Sequence, residues 1–290
     1  MKGDGSTSGI LVFIKSIFNS LTKSEQKVAL SILNDNEKVI YSSISDFAET
    51  CEVGDATVLR FCRKIGFKSY QSFKLELAKE IANADKGTAD MKDNEILSAD
   101  SFETIARKTV NSNIAAIQET LSLLDLKEVG TVVELLVNSR KIAFFGAGSS
   151  QITAQDAAYK FLRIGFDISV YTDYHIQLMQ ASLLTPADVA VGISFSGSTK
   201  DTFEVLKAAK QAGAKVIIIT HHAKSPITKL SDHVLLHGSK EGPYEGGLLS
   251  SKMAQLIVID VLYNAVFKRV TDLALSKKEI TSKAISERLQ

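Results

Sequence analysis

The sequence predicts an α/β protein in two parts, an all-α helix-turn-helix domain followed by a doubly wound, five-stranded, mainly parallel sheet. Three observations carry that reading. The first third of the chain places apolar residues at helical spacing. From about residue 140 onward, short apolar runs alternate with amphipathic helical segments, the pattern of a parallel sheet covered on both faces. Two of those runs end in glycine-serine loops, Gly146-Ala147-Gly148-Ser149-Ser150 and Ser194-Phe195-Ser196-Gly197-Ser198-Thr199. With 290 residues, 45% of them hydrophobic and 23% charged, the chain is long and apolar enough to bury two cores.

In chain order, the polar, glycine-rich start is expected to be disordered, and a helix is expected over 9–20. Thr22-Lys23-Ser24-Glu25 has capping-box spacing, the threonine accepting a terminal N–H and the glutamate reaching back, and begins a helix toward 34. Ser43 caps a helix over 44–51, Glu52-Val53-Gly54 makes a short turn, and a helix over 55–65 closes at Gly66 as a left-handed cap. In this last helix Val58, Phe61, Cys62 and Ile65 share one stripe, leaving Ala56, Arg60, Arg63 and Lys64 opposite. Two short helices about a tight turn, the second with a basic outer face, form the arrangement that lays a recognition helix in the major groove. Lys68, Lys74 and Lys79 extend the basic run against one acidic residue, Glu76, a local patch suited to phosphates in a chain whose formal net charge is only +1. The candidate DNA contacts are Thr57, Arg60, Arg63, Lys64 and Lys68. Ser69 caps a further helix with Tyr70, Phe73 and Leu77 at core spacing.

Residues 83–100, poor in periodicity, read as a linker between a first domain over 1–82 and a second over 101–290. Helices over 101–124 and 126–138 lead into expected strands at 141–145, 167–171, 189–193, 216–220 and 233–236. The intervening helices are expected at 152–164, 174–184, 199–212 and 226–230, with a long last helix over 250–268. In the common doubly wound order 2-1-3-4-5, the first and third strands are neighbours whose crossovers leave in opposite directions, and ligands bind outside their carboxyl ends. Both glycine-serine loops fall there. Each opens a helix, where unpaired N–H groups and the summed peptide dipoles favour an anion, and serine and threonine hydroxyls add donors.

The stretch Ile193-Ser194-Phe195-Ser196-Gly197-Ser198-Thr199-Lys200-Asp201-Thr202 resembles the phosphate-binding core of sugar isomerase (SIS) domains, and Gly146 to Ser150 resembles their first loop. Ala56-Thr57-Val58-Leu59-Arg60-Phe61-Cys62-Arg63-Lys64-Ile65-Gly66-Phe67-Lys68-Ser69-Tyr70 is similar to the helix-turn-helix of RpiR-type bacterial transcription regulators. The order of the two matches that family over nearly the whole chain. The resemblance implies a cytoplasmic homodimer or homotetramer that binds operator DNA near sugar-metabolism genes and senses a phosphosugar, without catalysis or a cofactor. By the same resemblance, Gly148, Ser149, Ser150, Ser194, Ser196, Gly197, Ser198 and Thr199 hold the effector's phosphate and nearby hydroxyls. Two departures stand out. Gly54-Asp55 replaces the serine that caps the recognition helix in many relatives, and Lys252 stands where relatives often show arginine, keeping the charge without the guanidinium fork.

The residues also allow an enzyme or a nucleotide-binding protein. A phosphosugar isomerase with an accessory helical domain needs a base beside the substrate carbonyl, for which His175, Glu241 and Glu245 are the candidates. A dinucleotide site needs a third glycine where Gln151 stands, although Asp173 could hold a ribose. No Gly-Lys-Ser or Gly-Lys-Thr of a Walker loop occurs. Cys51 and Cys62 lack metal-ligand spacing and read as reduced core residues, and His221 and His222 read as loop residues rather than metal ligands. No run approaches the ~18 apolar residues of a membrane span, and Lys15 interrupts the early apolar stretch, so a cytoplasmic protein without membrane contact is expected.

Overall fold

The structure, a computed structural model of the chain, describes residues 10–84, 96, 98–238 and 249–286. The expected disordered start, most of the linker, and the candidate bases Glu241 and Glu245 lie outside the described residues. The described chain divides into two compact units, one before residue 96 and one from it onward.

In the first unit, α1 (Ile10–Ile17) tightens into a 3-10 turn over Phe18–Ser20. The capping box forms as the sequence predicts: Thr22 Oγ1 accepts from the Glu25 N–H and the Glu25 carboxylate accepts from the Thr22 N–H, which starts α2 (Lys23–Asn34). Then follow α3 (Asn36–Tyr41), α4 (Ile44–Thr50), α5 (Asp55–Lys64) and α6 (Tyr70–Ala84). Helix α3 is without a clear sequence signal. It is one and a half turns long, and Asp35 both ends α2 and caps α3 by accepting from the Lys38 N–H, so the two helices read as one polar junction. Helix α6 runs two residues beyond the expected domain end at 82. Val28, Ile32, Phe47, Phe61, Phe73 and Leu77 form the core of this unit.

The second unit opens with α7 (Phe102–Leu123) and α8 (Leu126–Asn138), then β1 (Ile142–Gly146), α9 (Ser149–Arg163), β2 (Ile168–Val170), α10 (Tyr174–Ser182), β3 (Val189–Ile193), α11 (Lys200–Gln211), β4 (Lys215–Thr220) and β5 (His233–Leu236). Helices α12 (Leu249–Arg269) and α13 (Thr271–Ser286) follow. The five strands stand in the order β2-β1-β3-β4-β5, and every pairing is parallel. Because alternate side chains of a strand face opposite sides, Ile142, Phe144 and Val191 pack with α8, α9 and α12 on one face. Ala143, Phe145 and Ala190 pack with α10 and α11 on the other. Helix α7 lies along α12, and α13 along α9.

One expectation fails in this unit, and one helix is without a sequence signal. The segment 226–230 is a series of turns, not a helix: Ser225 and Thr228 bond each other through backbone and hydroxyl groups, and Leu230 donates to Ile227 three residues back. Helix α13 carries little sequence signal, because only Ala274 among its residues is buried and its sequence shows no apolar stripe. Among the described residues no helix is long and apolar enough to cross a membrane.

Candidate effector and DNA sites

Strand register brings the two glycine-serine loops together. Gly146 at the end of β1 sits opposite Ile193 at the end of β3. From these adjacent ends α9 crosses over one face and α11 over the other, so both loops leave from the topological switch point.

In the first loop, Gly146 permits close approach: a Cβ there would lie 2.9 Å from the Ser150 carbonyl. Gly148 caps α9 at φ 57°, a left-handed conformation that favours glycine. Ser149 is exposed and Ser150 buried. Behind the loop lies a set of buried amides that the sequence reading missed. Gln177 Nε2 donates to the Gly146 carbonyl (3.1 Å) and to Gln151 Oε1 (3.2 Å), Thr153 Oγ1 donates to Gln255 Oε1 (2.9 Å), and Gln255 Nε2 donates to Ser150 Oγ (3.4 Å). Their signal was available as glutamines and a threonine interrupting the buried faces of α9, α10 and α12. Lys252 Nζ donates to the Ser149 carbonyl at 2.8 Å. Burial holds its pKa below the usual lysine value, with Asp156 pulling the other way.

In the second loop the serines divide their work. Ser194 is buried, and its Oγ accepts from the Gly197 N–H (3.2 Å), which closes the turn on Gly197 at φ 59°. Ser196 Oγ accepts from the Ser198 N–H, and Ser198 Oγ donates back to the Ser196 carbonyl, both at 3.2 Å. Thr199 is the N-cap of α11, and its side chain makes no capping bond to the helix. Ser198 is exposed and Ser196 and Thr199 are half-buried, whereas Ser194 is buried and shapes the loop. Asp173, which is exposed, caps α10 by accepting from the Ile176 N–H through Oδ1. His175 is exposed on α10. Among the described residues no group of His, Cys, Asp and Glu is arranged to hold a metal ion.

In the first unit, α4 and α5 are joined by a turn in which Glu52, not a glycine, takes the left-handed conformation (φ 52°), while Gly54 caps α5 in extended conformation. Asp55 ties the helices by accepting from Ser45 Oγ (2.8 Å). Val58, Phe61 and Cys62 are buried, and Ala56, Arg60, Arg63 and Lys64 are exposed, as the stripe requires. Burial pushes the Cys62 thiol up to about 12, that of an inert core residue. Arg60 Nη2 donates to Thr57 Oγ1 (3.1 Å), while Arg63 and Lys68 are exposed. The rest of the expected basic patch is changed. Lys64 is paired with Glu25 at 2.8 Å, and that bond holds the Glu25 carboxyl below its usual pKa. Lys79 is paired with Glu76 at 2.5 Å. Lys74 is buried, its Nζ donating to the Ser42 carbonyl (2.9 Å) over the Tyr70 ring, and belongs to the core.

Sequence comparison places this two-part arrangement. Residues 8–84 match the helix-turn-helix domain of the rpiR family, and residues 135–265 match the SIS domain. A protein of Haemophilus influenzae named as an HTH-type transcriptional regulator is 41% identical over 281 residues, which covers 97% of this chain and 98% of that one. The chain belongs to the rpiR family of helix-turn-helix transcriptional regulators. Another regulator so named, from Caldanaerobacter subterraneus, is 37% identical over 96% of this chain and 98% of its own. The regulator also matches part of the bifunctional protein glk of Burkholderia thailandensis, at 33% identity over 89% of this chain but 40% of that one. Among solved structures, the Vibrio vulnificus NanR protein complexed with ManNAc-6P superimposes with a TM-score of 0.86 at 28% identity, covering 96% of this chain and 98% of that one.

Proposed function

We propose that this rpiR-family regulator binds operator DNA through α5 and senses a phosphosugar at the paired loops, without turning it over. The observation that carries the reading is the pairing of two glycine-serine loops at one switch point, each opening a helix. Together they offer N–H groups, hydroxyls and positive dipole ends to one phosphate. The likeness to NanR bound to ManNAc-6P supports the same ligand class. In this reading Gly148, Ser149, Ser150, Ser196, Gly197, Ser198 and Thr199 meet the effector, while Ser194 holds the second loop in shape. Thr57, Arg60, Arg63 and Lys68 face the operator, and a homo-oligomer in the cytoplasm reads two half-sites. The DNA-reading unit, together with relatives named as regulators, favours sensing over isomerisation.

A thermal-shift screen with a phosphosugar panel that includes N-acetylmannosamine 6-phosphate tests the site. An effector at 100 times its Kd stabilises the folded chain by about 2.7 kcal/mol. That gain is expected in the native chain and is expected to vanish in the Ser196→Ala, Ser198→Ala double variant. An equal gain in both chains overturns the assignment of the loops, and the absence of any phosphosugar shift overturns the ligand class.

A further inference from the structure

We infer that His237 and Thr120 are positioning residues that tie the second effector loop to α7, so that occupancy of the loop is transmitted to that helix. The inference rests on the phosphate-sensing reading of the loops. It concerns groups that reading does not use.

The connection is continuous. The Phe195 carbonyl, inside the second loop, accepts from Thr220 Oγ1 (3.1 Å) and from the His221 N–H (3.2 Å). The Phe195 ring stacks on the His221 ring, with centroids 5.0 Å apart and planes 1° apart, and its centroid lies 5.7 Å from that of the tilted His237 ring. His221 Nδ1 donates to the His237 carbonyl (3.0 Å), and the His237 N–H donates to the Thr220 carbonyl (3.0 Å). The next residue reaches α7: the Gly238 N–H donates to Thr120 Oγ1 (3.0 Å), and Thr120 Oγ1 donates to the Ala116 carbonyl (2.7 Å).

The fit at the junction leaves no slack. A Cβ on Gly238 would lie 2.6 Å from Glu119 Cβ and 2.8 Å from the Thr120 nitrogen, so the strand end presses backbone to backbone against α7. Close-packed interiors transmit displacement because they do not compress.

His237 is fully buried, and its tautomer is fixed, since Nδ1 donates to the Gly238 carbonyl (2.8 Å). Its Nε2 is left buried without a hydrogen-bond partner. No polar anchor therefore holds that edge of the ring against a shift of Phe195. The ring is wedged between the loop and the strand end, and its own backbone carries the two bonds that lead back to Thr220 and His221. A phosphate drawn into the loop that moves Phe195 moves this unit, and Gly238 passes the movement to α7, the helix by which the chain enters the second unit.

Hydrogen–deuterium exchange on the full chain, with inorganic phosphate as the probe, tests the relay, and Thr120→Val and Thr120→Ser supply the contrast. In the native chain phosphate is expected to slow exchange at residues 195–199 and in α7 around residues 116–124, each by about threefold or more. Thr120→Ser, which keeps the hydroxyl, is expected to match it. Thr120→Val is expected to keep the slowing at 195–199 and lose it in α7. An α7 that does not respond in the native chain, or responds equally in Thr120→Val, overturns the relay while leaving the loop reading intact. No slowing at 195–199 in the native chain removes the phosphate reading, and the relay with it.

Discussion

Ser194 and Lys74 both carry sequence signals that point outward, and the fold turns both inward. A serine in a phosphate-type loop reads as a ligand group, yet Ser194 spends its oxygen on Gly197. Replacing it by alanine leaves a buried N–H unmatched and is expected to cost about 1–3 kcal/mol of stability in denaturant titration, beyond any effect on effector affinity. Gly197→Ala is expected to destabilise as well, because alanine is strained at φ 59° and its Cβ would meet Ser225 Cβ at 2.6 Å. Lys74 gives the clearest pH signature. Burial pushes its ammonium down to about 8 from 10.5, so between those values the unfolded chain holds more protons than the folded one. Stability of the first unit is therefore expected to rise as pH climbs from about 8 to about 10.5, and Lys74→Met is expected to flatten that rise. His237 acts in acid by the same rule. Burial lowers it to about 4 from 6.5, so its contribution is complete above pH 6.5 and is lost as pH falls toward 4. The full loss is roughly 3 kcal/mol at about 1.4 kcal/mol per unit, and His237→Gln is expected to remove the slope.

Among the elements, periodicity and capping made the larger part of the fold legible. The capping box of Thr22 and Glu25, the stripe of α5 and the strand order around the switch point can each be read from local spacing. What stayed hidden lacked such a signal. Helix α3 is short and shares Asp35 with its neighbour, α13 buries almost nothing, and 226–230 closes on a three-residue bond from Leu230 to Ile227 after a helix-like start at Ser225. The loops of the candidate site were legible because two of them, each following an apolar strand and opening a helix, fall at strand ends that the fold makes neighbours. The amides behind them were not, since a buried glutamine is recognised only once its partners are known. Pairing likewise redraws the face of α5. With its ammonium held by Glu25, Lys64 is expected to affect operator affinity less than Arg60 or Arg63. In salt-dependent DNA titrations, Arg60→Ala or Arg63→Ala is expected to lower the slope by about one for each phosphate that the arginine neutralises, and Lys64→Ala to change it by less than either.

For the whole molecule, the proposed function requires that one chain couple a phosphosugar to an operator. Two units with separate cores make each binding event possible by itself, and only an energetic link between them makes a regulator. By thermodynamic linkage the effector must change operator affinity by the factor by which operator changes effector affinity, typically about 5- to 150-fold. The measurement that tests this most directly is a closed cycle on the native chain: operator titrated with and without the phosphosugar chosen by thermal shift, and that phosphosugar titrated with and without operator, with its chemical form followed by NMR throughout. Two equal factors, each clearly different from one, and an effector recovered unchanged are expected. Operator affinity that is the same in both titrations, or conversion of the phosphosugar to an isomer at enzyme-like rates, would contradict the proposed function.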